Sequence, residues 1–65
     1  MPGYREKTDE EYYQELVEWF NLGGMDGKAE VEKILSEPPD QSVQVMMRNG
    51  CSRIAAEAVD YMLVG

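Results

Sequence analysis

The sequence predicts an all-α fold, a small single-domain bundle of three to four short helices. Three observations support this: N-cap residues precede the candidate segments, apolar residues recur at helical spacing, and Gly or Pro follows the segments as a helix-ending signal. A chain of 65 residues is long enough for one domain and buries only a modest core. We expect residues 1–7 to form a flexible N-terminal segment and residues 8–65 to form the single helical domain.

The first predicted helix runs from Asp9 to Leu22. Thr8-Asp9-Glu10-Glu11 is a capping box, with Thr8 at the N-cap and Glu11 at the third helical position. Gly23-Gly24 follows Leu22 and favours a helix end, because glycine readily adopts positive φ. Large apolar residues share one sector of this helix, about 120° wide; they are Tyr12, Tyr13, Leu16, Trp19 and Phe20. We therefore expect this helix to supply the aromatic part of the core.

Two further helices are predicted from similar signals. Asp26 can cap a helix over residues 27–36, which Glu37-Pro38-Pro39 ends. Ser52 can cap a last helix over residues 53–64. Its apolar residues recur at helical spacing; they are Ile54, Ala55, Ala58, Val59, Met62 and Leu63.

The segment 41–48, which Asp40 can cap, is compatible with helix or strand. Val43, Val45 and Met47 alternate as in a strand, and Asn49-Gly50 is a hairpin signal. A hairpin needs a second strand, and the helical pattern that follows does not supply one. Helix is therefore favoured, with Asn49-Gly50 as its C-terminal cap.

The whole net charge of −7 lies in residues 1–40, which carry eleven acids and four bases. Residues 41–65 carry two acids and two bases and are neutral. This balance disfavours direct binding to nucleic acid or to an anionic membrane, because both depend on Lys and Arg. A basic protein surface is the favoured partner, with a nucleic-acid-binding complex as one candidate.

Composition also argues against an enzyme. The chain has no His and a single cysteine, Cys51, so it lacks the usual general base near pH 7 and the ligands of a soft metal site. We predict no catalytic residue, no cofactor and no metal. A lone cysteine excludes an intrachain disulfide, and we expect a cytoplasmic protein. No apolar stretch has the length of a membrane span or the character of a signal peptide.

The candidate partner-binding residues are five acids, Glu11, Glu15, Glu18, Glu30 and Glu32. The first three share one sector of the first helix, where like charges repel one another. Glu11 and Glu15 are separated by about 6 Å along the helix axis. This distance is comparable to the spacing of phosphates along a nucleic-acid strand. The functional interpretation is an anionic ridge that binds a basic groove; the alternative is a solvated face that keeps the chain soluble.

A second candidate set is apolar and serves either core packing or self-association. It consists of Tyr12, Trp19, Phe20, Tyr61, Met62 and Leu63. The last helix carries more apolar surface than a chain this short can readily bury. A homodimer would account for the surplus.

Two short segments resemble parts of known families. Glu57-Ala58-Val59-Asp60-Tyr61-Met62-Leu63 resembles the last helix of ubiquitin-associated domains, which are three-helix ubiquitin binders; the resemblance implies helices over 31–35, 41–48 and 53–63. That family's Met-Gly-Phe/Tyr loop is replaced here by Ser36-Glu37-Pro38-Pro39. Met46 to Ile54 resembles a helix-turn-helix core with Gly50 in its turn, although the overall charge argues against DNA binding.

Taken together, the sequence favours a small acidic, non-enzymatic protein–protein interaction module. In size and charge it resembles the inhibitors that phages direct at host nucleic-acid-binding proteins, including viral anti-CRISPR proteins. The expected mechanism is that the anionic helix face binds a basic surface, steered by long-range charge. The alternatives are a homo-oligomeric structural or adaptor protein and a binder of the ubiquitin-associated type.

Overall fold

A computed structural model describes residues 7–64 of the chain. Over that range it contains four α-helices and no strand: α1 (Asp9–Leu22), α2 (Gly27–Ser36), α3 (Gln41–Arg48) and α4 (Arg53–Val64). The all-α prediction is confirmed, and the ambiguous segment 41–48 is a helix. The predicted flexible segment 1–7 lies, apart from Lys7, outside the described residues.

Side-chain caps set the start of each helix. A side-chain oxygen accepts a hydrogen bond from the backbone N–H three residues further on; the caps are Thr8, Asp26, Asp40 and Ser52. At α1 the capping box is complete, because the Thr8 N–H also donates to Glu11 Oε1 at 2.8 Å. Short-range sequence chemistry therefore fixes where the helices begin.

Two glycines with positive φ follow the ends of α1 and α3. Gly24 has φ +85° and Gly50 has φ +103°. Residues other than glycine rarely adopt this backbone conformation. Asn49-Gly50 thus ends a helix, as the helical interpretation of residues 41–48 requires.

The core lies between α1, α2 and α4. Its buried cluster consists of Leu16, Phe20, Val31, Ile54 and Ala58. Tyr12, Tyr13 and Trp19 are half-buried and pack against this cluster. The aromatic side of α1 therefore contributes Phe20 to the core and packs its other rings against it. Outside this cluster, α3 packs against α4, and Val43 and Ala56 are fully buried.

The side chain of Arg53 ties α4 to the end of α2. Its Nη2 donates to the Ile34 and Glu37 carbonyl oxygens, both at 2.8 Å. Its Nε donates to Glu57 Oε2 at 2.7 Å. These bonds hold the Pro38-Pro39 connection over α4 and so position α3.

Candidate protein-binding surface

The three predicted acids of α1 lie along one side of the helix, but they have different surroundings. Glu11 is half-buried, and its carboxylate is part of the α1 cap. Glu15 is half-buried and forms an ion pair with Lys7, with Nζ to Oε2 at 2.6 Å. Glu18 is exposed. The ridge therefore combines structural contacts with one carboxylate that faces solvent.

The two predicted acids of α2 point about 160° apart around that helix, because they are two residues apart, and Glu30 is half-buried in its first turn. Glu32 is exposed, and its Oε2 accepts a hydrogen bond from the Tyr13 hydroxyl at 3.2 Å. Tyr13 and Glu15 point about 160° apart around α1, because successive residues differ by about 100°. The five candidate acids therefore do not form one continuous patch.

The pKa of Tyr13 is shifted by this environment. Desolvation by burial raises the pKa of the phenol above its usual value, and the hydrogen bond to Glu32 raises it further. The negative charge of Glu32 acts in the same direction. The neutral phenol is therefore favoured at this contact between α1 and α2.

A groove runs between α1 and α4 over the outside of the core. One hollow of about 230 Å³ is lined in part by Glu15, Trp19 and Met62. A second, of about 300 Å³, shares Trp19 and Met62 and reaches Leu22. We call the combined feature the α1/α4 groove and define it by seven residues, Tyr12, Glu15, Trp19, Leu22, Val59, Tyr61 and Met62.

The two helices that form this groove run in the same direction. Near their starts, Ser52 Oγ donates to Asp9 Oδ1 at 2.7 Å. Further along, the rings of Trp19 and Tyr61 are stacked with centroids 5.6 Å apart. Tyr61 also makes an edge contact with Phe20, at 4.9 Å between centroids, so core packing fixes one end of the groove.

Large apolar side chains are exposed at the Leu22 end of this groove. Leu22 is 86% exposed and Met62 is 63% exposed, and the next residue, Leu63, is 78% exposed. Isolated apolar residues on a surface are ordinary, whereas a contiguous group marks an interaction surface more often. Trp19, half-buried in the floor, adds an aromatic side chain of the kind enriched in binding hot spots.

A cation already occupies the other end of the groove. The Lys7 ammonium lies 5.8 Å from the centroid of the Tyr12 ring, in addition to its ion pair with Glu15. An ammonium within about 6 Å of an aromatic face is attracted by the ring quadrupole. Tyr12 and Glu15 together therefore form a contact site for a positively charged side chain.

A larger hollow, of about 400 Å³, lies at the α2–α3 connection and is lined by charged residues of α4. Its charges are engaged in the fold. Arg53 pairs with Glu57, Ser42 Oγ donates to Asp60 Oδ1 at 3.0 Å, and Asp40 caps α3. We assign this hollow a structural role.

In residues 7–64, no group of three His, Cys, Asp or Glu side chains is placed to hold a metal ion. Cys51 is exposed. None of the described helices combines the length and the apolar composition needed to cross a bilayer.

Two of the seven groove residues, Leu22 and Val59, were not among the sequence candidates, and neither was Lys7, which lines the hollow beside Glu15. Leu22 continues the side of α1 that carries Glu18 and Trp19, since it lies four and three residues after them. Helical spacing could therefore have identified it. Lys7 precedes the helix, and its contact with Glu15 has no signal in local spacing.

Comparisons of the chain with protein-family models, with curated proteins and with solved structures give no match.

Proposed function

We propose that the chain is a small non-enzymatic regulator or inhibitor that binds a basic surface of a nucleic-acid-binding protein. The binding surface is the acidic side of α1, Glu11, Glu15 and Glu18, together with the adjoining α1/α4 groove. The observation that carries the proposal is the exposure of large apolar side chains beside carboxylates in a chain of net charge −7.

The two components of this surface have different energetic roles. An exposed ion pair contributes only about 0–1 kcal/mol. Removing apolar surface from water contributes about 25 cal/mol per Å², so Leu22 and Met62 are the stronger source of affinity. The acids instead accelerate encounter with a basic partner and disfavour acidic ones.

The charge and the size of the chain favour one class of partner. Basic surfaces that evolved to bind phosphates are attractive targets for an anionic ridge. The resemblance in size and charge to small acidic phage inhibitors also implies that the anionic ridge binds a basic surface of this kind. The proposal therefore names nucleic-acid-binding proteins as the partner class.

The test is affinity capture with matched charge reversals. Glu18→Lys and Glu37→Lys both change the net charge by the same amount at exposed positions, and only the first lies on the acidic side of α1. Glu11 is left unchanged, because its carboxylate caps α1. Mass spectrometry is expected to find a basic protein that the wild type and Glu37→Lys retain and that Glu18→Lys loses severalfold. Equal capture by both variants contradicts the proposal.

A homo-oligomeric structural or adaptor protein is the second candidate. The observation that favours it is the exposure of Met62 and Leu63 at the end of α4. Sedimentation velocity at micromolar concentration is expected to show a dimer that Leu63→Asp dissociates. If the wild type and Leu63→Asp are both monomers, the homo-oligomer is ruled out and the regulator or inhibitor remains.

A further inference from the structure

We infer that the α1/α4 groove binds one basic amphipathic helix of a partner protein, and that Lys7 holds the place of a cationic side chain of that helix. The inference rests on the proposed function and makes its binding surface specific.

The groove has the shape that a helix requires. α1 has 14 residues, which gives a length of about 21 Å at 1.5 Å per residue. The groove positions on α1 are 12, 15, 19 and 22, so they follow one side of the helix for most of its length. Amphipathic helices bind such grooves through apolar residues that recur every three or four positions.

The chemistry of the groove selects a basic helix over an acidic one. Trp19, Val59 and Met62 offer apolar and aromatic surface, whereas Glu15 lines the α1 side and the exposed Glu18 follows it by three residues, one turn along the same helix. A bound helix with an apolar stripe flanked by Lys or Arg can pack against the apolar surface and pair with the carboxylates. A helix flanked by acids would place like charges together, which is unfavourable.

Lys7 shows the contacts that a bound cation would make. Its ammonium pairs with Glu15 and lies over the Tyr12 ring, at one end of the apolar floor. A partner's Lys or Arg can make the same two contacts only after displacing Lys7. The free chain thus carries an internal competitor, and removing it should raise the affinity for the partner.

The probe is a 16-residue synthetic peptide with Leu on one helical face and Lys flanking it. A scrambled peptide of the same composition is the reference. Both lack tryptophan, so that the fluorescence of Trp19, the chain's single tryptophan, reports events in the groove. The amphipathic peptide is expected to bind about tenfold or more tightly than the scrambled one, because only it can bury its leucines together.

Three pairs of variants locate the binding. Lys7→Ala should raise the affinity about two- to fivefold, whereas Lys28→Ala, with the same charge change on exposed α2 surface, should not. Glu15→Gln should lower the affinity about two- to fivefold, and Glu37→Gln should have a smaller effect. Met62→Gln should lower it about tenfold, with Met47→Gln on α3 as the control. Circular dichroism checks that each variant is folded.

The outcomes separate the inference from the proposed function. Equal binding of the two peptides, no binding of either, or equal effects within each pair overturns the groove inference. None of these results bears on the capture comparison of Glu18→Lys with Glu37→Lys, which tests the proposed function separately. A tighter amphipathic peptide, together with the expected asymmetry within all three pairs, supports the inference.

Discussion

At the scale of single residues, Gly27 sets how closely α2 approaches α1. It is buried at the first position of α2, and its N–H donates to Asn21 Oδ1 at 2.8 Å. A Cβ at this position would overlap the Val17 carbonyl oxygen. Backbone atoms cannot move aside cheaply, so only glycine allows this approach.

Gly27→Ala is therefore expected to destabilise the chain by about 1–3 kcal/mol, as overpacking usually does. In an unhindered helix the same change is favourable by about 0.5–1 kcal/mol. Gly23→Ala is the matched control, because its Cβ would meet the Phe20 carbonyl oxygen at 3.4 Å with φ at −82°. Urea denaturation measures both, and equal stabilities would contradict the close approach of the two helices.

Tyr13 makes stability depend on pH in the alkaline range. Its pKa is raised in the folded chain, so the unfolded chain loses the phenolic proton first as pH rises. The stabilisation is complete below the unfolded pKa of about 10 and is lost as pH rises through the folded value. Above pH about 10 the wild type should lose more stability than Tyr13→Phe. Parallel pH dependence of the two unfolding curves would argue against this contact.

At the scale of elements, Arg53 joins three parts of the chain. Its guanidinium bonds the end of α2, the α2–α3 connection and Glu57 of α4. The Arg53 and Glu57 side chains are only 24% and 12% exposed. An ion pair with this little exposure is costly to break, because the remaining charge is left without its partner.

Arg53→Met is expected to lower the free energy of unfolding by about 2–4 kcal/mol. Adding Glu57→Gln should recover part of the loss, because it removes the unpaired carboxylate. Arg48→Met, at an exposed position in the last turn of α3, should cost less than about 1 kcal/mol. If Arg53→Met and Arg48→Met prove equally mild, the fold does not depend on Arg53.

The bounds of the helices could be predicted from sequence, whereas their contacts could not. Capping by Thr8, Asp26, Asp40 and Ser52 depends on residues within three positions, so local chemistry is sufficient. Segment 41–48 is ambiguous because its apolar residues fit both the helical period and the alternation of a strand. In contrast, α4 lies beside α1 and runs in the same direction because of long-range packing, which no short motif encodes.

At the scale of the whole molecule, the charge asymmetry and the groove belong to one surface. The sequence predicted an acidic helix face and an apolar surplus in α4 as two separate features. In the folded chain Glu15 and Met62 line the same hollow. Sequence reasoning did not join them, because the connection depends on α1 and α4 lying side by side.

The candidate site is therefore only partly readable from sequence. Glu15, Glu18, Trp19 and Met62 are recognisable from charge and helical spacing. Lys7 is not, because its contact joins a residue before α1 to Glu15, eight positions further on and near the middle of the helix. Whether the acids of α2 take part is a separate prediction, which the charge reversal Glu32→Lys can test by the same capture experiment.

The central claim is that a basic protein binds the acidic side of α1 and the adjoining groove. Its most direct test is the dissociation constant of the captured partner for the wild type, Glu18→Lys and Glu37→Lys at low and physiological ionic strength. We predict that Glu18→Lys binds several times more weakly and depends less on salt, while Glu37→Lys behaves like the wild type. The same affinity and salt dependence for all three chains would contradict the claim.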